Sequence, residues 1–119
     1  MAWVVIFHEA FDAEFLALPR EVQTGLAAKA RLLESIGPML GRPHVDTLKK
    51  SKHSYMKELR FDAADGVWRV AFAFDVARQA VVLVAGDKSG GGEAQFYRGL
   101  IATADKRFDD HLARQKKGD

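Results

Sequence analysis

The chain has 119 residues, 48% of them hydrophobic and 29% charged, with 10 Gly and 3 Pro, the size and make-up of one globular domain rather than of a multidomain assembly. It contains no cysteine, which excludes a disulfide scaffold, a thiolate metal site and a cysteine nucleophile, and fits a reducing cytoplasm. A net charge of +2 from 18 basic and 16 acidic residues names no partner by itself, and no apolar run reaches the roughly 20 residues of a membrane helix, so a soluble protein is expected.

Met1, Ala2 and Trp3 lead straight into apolar sequence without a basic segment before it or a small-residue cleavage site after it, unlike a secretory signal. Residues 3–7 are apolar, β-prone and too short for a helix, and predict the first strand. Phe11, Phe15 and Leu18 then recur at helical spacing until Pro19, which ends one helix and presets the first turn of the next. Val22, Leu26, Ala30, Leu33 and Ile36 share one face of that second helix, which stops at Gly37-Pro38. Residues 37–54 hold two Pro and two Gly without sustained periodicity and read as a long loop, a feature that often carries function. Three strands are predicted over residues 55–61, 67–74 and 80–86, separated by Asp65-Gly66 and by residues 77–79, as an antiparallel meander. Ser89, Gly90, Gly91 and Gly92 break the sheet, and Phe96, Leu100, Ala104, Phe108 and Leu112 mark a terminal helix with a frayed tail over residues 114–119. The expected fold is α+β, β-α-α-β-β-β-α, with helices on one face of a mainly antiparallel sheet and one domain spanning residues 1–119.

Charge is distributed unevenly. Residues 37–61 carry Arg42, Lys49, Lys50, Lys52, Lys57 and Arg60 against Asp46 and Glu58, a local basic excess that suits either phosphate or a solvated loop. Strand alternation sorts the faces: Trp68, Val70, Phe72 and Phe74 form one apolar set, as do Tyr55, Leu59 and Phe61 with Lys57 awkwardly among them. Glu58, Arg60 and Arg69 therefore converge on the other, open face. Residues 80–86 are apolar on both parities, as in a central strand, and run into Asp87 and Lys88. Two arginines beside a lysine and a helix start suit a phosphate cradle, although spacing alone favours a plain cross-strand ion pair between Glu58 and an arginine. The four histidines, His8, His44, His53 and His111, lack metal-ligand spacing.

Gly41-Arg42-Pro43-His44-Val45-Asp46-Thr47-Leu48, Met56-Lys57-Glu58-Leu59-Arg60-Phe61, Trp68-Arg69-Val70-Ala71-Phe72-Ala73-Phe74-Asp75 and Gly86-Asp87-Lys88-Ser89-Gly90 ahead of Phe96-Tyr97 together resemble the RelE/ParE toxin superfamily, in its phage-derived HigB-like branch. The resemblance runs from the first strand through the last helix. It implies the toxin of a toxin–antitoxin pair, a cytoplasmic, ribosome-dependent mRNA endoribonuclease without cofactor or metal, silenced by a cognate helix-turn-helix antitoxin. It further implies Arg69 as the phosphate-binding arginine with Arg60 assisting, Lys88 as the basic residue after the meander, and Tyr97 as the tyrosine that stacks on a base or moves a proton. Lys49, Lys50, Lys52, His53 and Lys57 would contact RNA backbones. Glu58 stands where the best-known members carry a catalytic lysine, and a carboxylate between two arginines is expected to be ionised and only a weak base. That departure keeps in view a ParE-like alternative, a non-catalytic toxin that binds and poisons DNA gyrase.

Overall fold

The computed structural model describes residues 3–118. β1 (Val4–Phe7) leads into α1 (Glu9–Ala17) and α2 (Arg20–Ile36), and a 3-10 turn (Gly37–Met39) precedes β2 (Val45–Thr47). β3 (Lys57–Ala63), β4 (Gly66–Phe74) and β5 (Gln79–Asp87) follow, and α3 (Glu93–Lys116) ends the fold. The five strands lie in the order β1-β5-β4-β3-β2, with β1 parallel to β5 and every other pair antiparallel.

Local chemistry explains the joints. His8 caps α1 by accepting the Ala10 N–H at Nδ1, 3.1 Å. Leu18 is extended ahead of Pro19, as a residue before proline must be, and the Gln23 side-chain amide donates to the carbonyls of Phe15, Leu16 and Leu18 that end α1. The β3–β4 hairpin turns on Ala64 and Asp65, both at positive φ, the primed two-residue turn that suits twisted strands; the sequence signal had pointed one residue later, to Asp65-Gly66. Between β4 and β5 the Asp75 carboxylate accepts the Ala77 and Gln79 N–H groups.

Helices cover both faces of the sheet, and here the expectation of a single helical face is corrected. Phe11, Leu26 and Leu33 of α1 and α2 pack with Leu59, Val70, Phe72 and Val82, while Leu100, Ala104 and Phe108 of α3 pack with Ala71, Ala73, Val81 and Leu83. The small side chains of Ala71 and Ala73 leave room for the second layer. β5 sits between β1 and β4 with Ala80, Val81, Val82 and Leu83 fully buried, as its two-sided apolar pattern predicted.

Three boundaries also differ. Residues 37–54 are not one loop, because Val45, Asp46 and Thr47 pair with Leu59, Glu58 and Lys57 and add an edge strand. β3 begins at Lys57, and Met56 rather than Tyr55 enters the core, leaving Tyr55 in an exposed turn. The tail predicted to fray from Arg114 remains helical to Lys116, since Arg114 pairs with Glu9 and Asp110 and its charge favours a helix C-terminus; Asp119 lies outside the described residues.

Gly37 ends α2 at φ +73°, and a Cβ there would stand 2.3 Å from Nε1 of Trp3. Both backbone and packing oppose a side chain, so Gly37→Ala is expected to cost about 2 kcal/mol, read as a lower urea midpoint at unchanged slope.

α3 is tied down largely through carboxylates. His8 bonds Asp110 at 2.9 Å, His53 bonds Asp109 and His111 bonds Asp75 at 2.8 Å each, and Arg107 grips Glu14 with two nitrogens. Lys52 lowers Asp109, His8 lowers Asp110 and Arg107 lowers Glu14. Burial pushes Asp75 up, but hydrogen bonds from His111, Gln79 and Ala77 outweigh it and leave it lowered. Carboxyls depressed in the folded state stabilise it fully above their unfolded range and lose that contribution as pH falls through the folded values. The urea midpoint is therefore expected to drop between about pH 5 and about pH 3, which paired unfolding titrations would check.

Candidate functional site

Register alone brings the charged residues together. Arg60 on β3 lies directly opposite Arg69 on β4, and Glu58 lies opposite Ala71. Two like charges facing each other across strands repel, and the Glu58 carboxylate resolves the conflict. Arg60 Nη1 donates to Glu58 Oε2 at 2.7 Å, and Arg69 Nε stands 3.9 Å from Oε1. From above the sheet, the Tyr97 hydroxyl of α3 donates to Glu58 Oε1 at 2.8 Å. The ion pair expected from spacing is thus present, with a tyrosine added to it.

The face carrying this cluster is not open. Glu58 is 3% and Arg69 7% exposed, because the first turns of α3 lie over them. Gly86 allows that approach: a Cβ there would meet the Phe96 ring at 2.8 Å, so its absence lets Phe96 settle on β5 and sets the neighbouring Tyr97 above Glu58. Arg69 Nη1 donates to the Trp68 carbonyl at 2.9 Å, whereas its Nε has no hydrogen-bond partner among the described residues. Burial and the Glu58 carboxylate hold the Tyr97 phenol above its ordinary range, with Arg69 pulling the other way, so Tyr97 is a neutral donor at physiological pH.

A groove of about 730 Å³ opens beside this cluster, lined by six basic and three acidic side chains. Glu58, Arg60 and Tyr97 form part of its wall, and Lys88 and Glu93 stand at the β5–α3 connection. Lys88 is placed by its own N–H, which donates to the Val67 carbonyl, while Asp87 accepts from Val67 N and Ser89 N. Its ammonium holds Glu93 at 2.9 Å and keeps that carboxyl below its ordinary range.

Of the residues proposed for RNA contact, Lys49 and Lys50 line the groove. Lys52 and His53 do not; both are engaged with Asp109 of α3, and His53 packs edge-on against Phe108. Lys57 lies across the sheet, its ammonium donating to the Pro38 carbonyl and 5.9 Å from the Phe74 ring centroid. Strand alternation requires this, since Lys57 shares the parity of Leu59 and not of Glu58. The sequence reading missed Arg98 and Glu93 as groove residues. The available signal was helical: Glu93, Tyr97, Arg98 and Ile101 flank the Phe96–Leu100 stripe at spacings of three and four. Among the described residues no three His, Asp or Glu side chains gather as metal ligands, and no helix is long and apolar enough to cross a membrane.

The chain is similar to two Mycobacterium tuberculosis proteins named as toxins. HigB3 is 42% identical over 114 residues, covering 96% of this chain and 97% of the relative. HigB2 is 43% identical over 106 residues, 88% of this chain, which spans about half, 52%, of that longer relative. A mutant of the E. coli toxin RelE in the free state has the same fold, with a TM-score of 0.57 at 14% identity over 86% of this chain and 96% of that one. Residues 13–109 match the profile of the Phage derived protein Gp49-like (DUF891) family, and the chain therefore belongs to the Gp49-like family.

Proposed function

We propose that this protein is the toxin of a toxin–antitoxin pair, a metal-independent endoribonuclease that cuts mRNA on the ribosome in the cytoplasm and is neutralised by a cognate helix-turn-helix antitoxin. The relatives named as toxins support the first part. The observation that carries the second is the Glu58–Tyr97–Arg60 cluster at the wall of a cation-lined groove, with Arg69 buried behind it.

RNA cleavage without a metal needs a proton taken from the 2′-OH, charge stabilised at the phosphate and a proton given to the leaving 5′-oxygen. Glu58 is almost fully buried, which supports a reading in which Tyr97 meets the ribose on its behalf. The 2′-OH gives its proton to the Tyr97 oxygen as the Tyr97 proton passes to Glu58, over the 2.8 Å already in place. The 2′-oxygen attacks phosphorus and the bond to the 5′-oxygen breaks, leaving a 2′,3′-cyclic phosphate. Arg60 from the groove wall and Arg69 from behind it stabilise the charge on the phosphoryl oxygens, and Lys88 protonates the departing oxygen. Lys49 and Lys50 hold neighbouring phosphates. The relay gives the buried Glu58 carboxylate access to the ribose through Tyr97 and leaves its basicity as it is.

Primer extension on a message translated in a reconstituted system tests the reading. Discrete cuts within the translated frame that vanish when ribosomes are omitted are expected. Intact message from folded protein would overturn the nuclease and turn attention to DNA gyrase as the target.

A further inference from the structure

Three cations of the groove already hold carboxylates of this chain, and three others hold none among the described residues. Arg60 sits on Glu58, Arg42 on Asp46 and Lys88 on Glu93. Lys49, Lys50 and Arg98 line the same groove, and their side chains make no hydrogen bond or ion pair among the described residues.

The three internal anions are held to very different degrees. Glu58 is enclosed and fixed from two sides. Asp46 accepts the Thr47 N–H as well as Arg42. Glu93 has a side chain 70% exposed, stands on the first turn of α3, and has Lys88 as its one side-chain partner among the described residues. Lys88 is the opposite case: its side chain is 20% exposed, and its ammonium lies 5.6 Å from the Tyr97 ring centroid. A held cation facing a loose anion is a pair that a competing anion can divide, because the released carboxylate swings into water at little cost.

We propose that Glu93 is a displaceable stand-in for a substrate phosphate on Lys88. In the free protein Glu93 neutralises Lys88; a seated ribonucleotide strand puts a phosphate in its place, and Glu93 thereby sets how tightly the groove holds a strand. The inference rests on the groove being the nucleic-acid site proposed above. It also confers selectivity for length. A mononucleotide meets Lys88 with one phosphate and competes poorly with a carboxylate tethered five residues away, whereas a strand held by Lys49, Lys50 and Arg98 presents its next phosphate at high effective concentration. Lys88 is then free to serve the leaving oxygen only once a strand is seated.

The test is fluorescence anisotropy with a short 2′-O-methyl oligoribonucleotide, which cannot be cut, on wild type, Glu93→Gln, Lys88→Ala and the double variant. Glu93→Gln is expected to tighten binding about two- to fivefold, the worth of an exposed ion pair, and the gain is expected to vanish in the Lys88→Ala background. On cleavable message the same substitution lowers KM. Wild-type binding with no gain in Glu93→Gln, or a gain that persists without Lys88, would overturn the proposal and leave the groove reading intact. Absence of binding by all four folded proteins would remove the groove reading and this proposal with it.

Discussion

Arg69→Ala is expected to lower the rate of message cutting about 10²–10³-fold, the usual loss when one fixed donor to a developing charge is removed. Arg69 stands behind the groove wall formed by Glu58 and Arg60, and its guanidinium is already immobilised there. One nitrogen is bonded to the Trp68 carbonyl, and Nε, beside Glu58, remains without a hydrogen-bond partner among the described residues. Its charge is therefore fixed beside the groove before a phosphate arrives. The fold should survive at a cost of about 1–2 kcal/mol. Exposure is not the reason, since Arg69 is buried; Glu58 keeps its bonds to Arg60 and Tyr97 when Arg69 is gone. Primer extension beside a thermal melt reads both quantities, and a folded Arg69→Ala protein that still cuts at the wild-type rate would remove Arg69 from the site.

Glu58→Leu is expected to be the most destabilising single change in the cluster, at about 3–5 kcal/mol, because it leaves Arg69 buried without a counter-charge. Arg60 and Arg69 would then face each other across β3 and β4 with nothing between them, and the Tyr97 hydroxyl would lose its acceptor. Glu58→Gln should cost less, since an amide oxygen still accepts one of these bonds while the charge is lost. The asymmetry between the two arginine partners is the point: removing the shared anion strands two cations, and removing one cation strands nothing. Urea titrations of the two Glu58 variants against Arg69→Ala would show it, and a Glu58→Leu protein as stable as wild type would mean that the buried charges are not coupled.

Much of this site was legible in the chain. Alternation in β3 and β4 placed Glu58, Arg60 and Arg69 on one face, and their types made a carboxylate–arginine pair the expected outcome. Lys57 was separable on the same grounds, as its parity put it with Leu59 and Phe61. What alternation could not reveal was depth. A residue on the polar parity of a strand is exposed only if nothing is packed over it, and α3 lies there. Arg98 and Glu93 escaped for a related reason: on a helix whose apolar stripe is plain, the flanking positions acquire meaning only when the surface they face is known.

The sequence by itself determined the order and type of the main elements, the central position of β5 and a RelE-like fold, which the shared fold with the E. coli toxin RelE bears out. These rest on period, turn chemistry and residue type, which act over a few neighbouring positions. Only the tertiary structure decided that α3 takes the face opposite α1 and α2, that Val45–Thr47 becomes an edge strand, that Glu58 and Arg69 are buried, and that Tyr97 reaches Glu58 across 39 positions of chain. Periodicity states which side chains of one element share a face; which partner covers that face is settled by packing volume, here by the small side chains of Ala71 and Ala73 and the missing one at Gly86 that let α3 come down on the sheet.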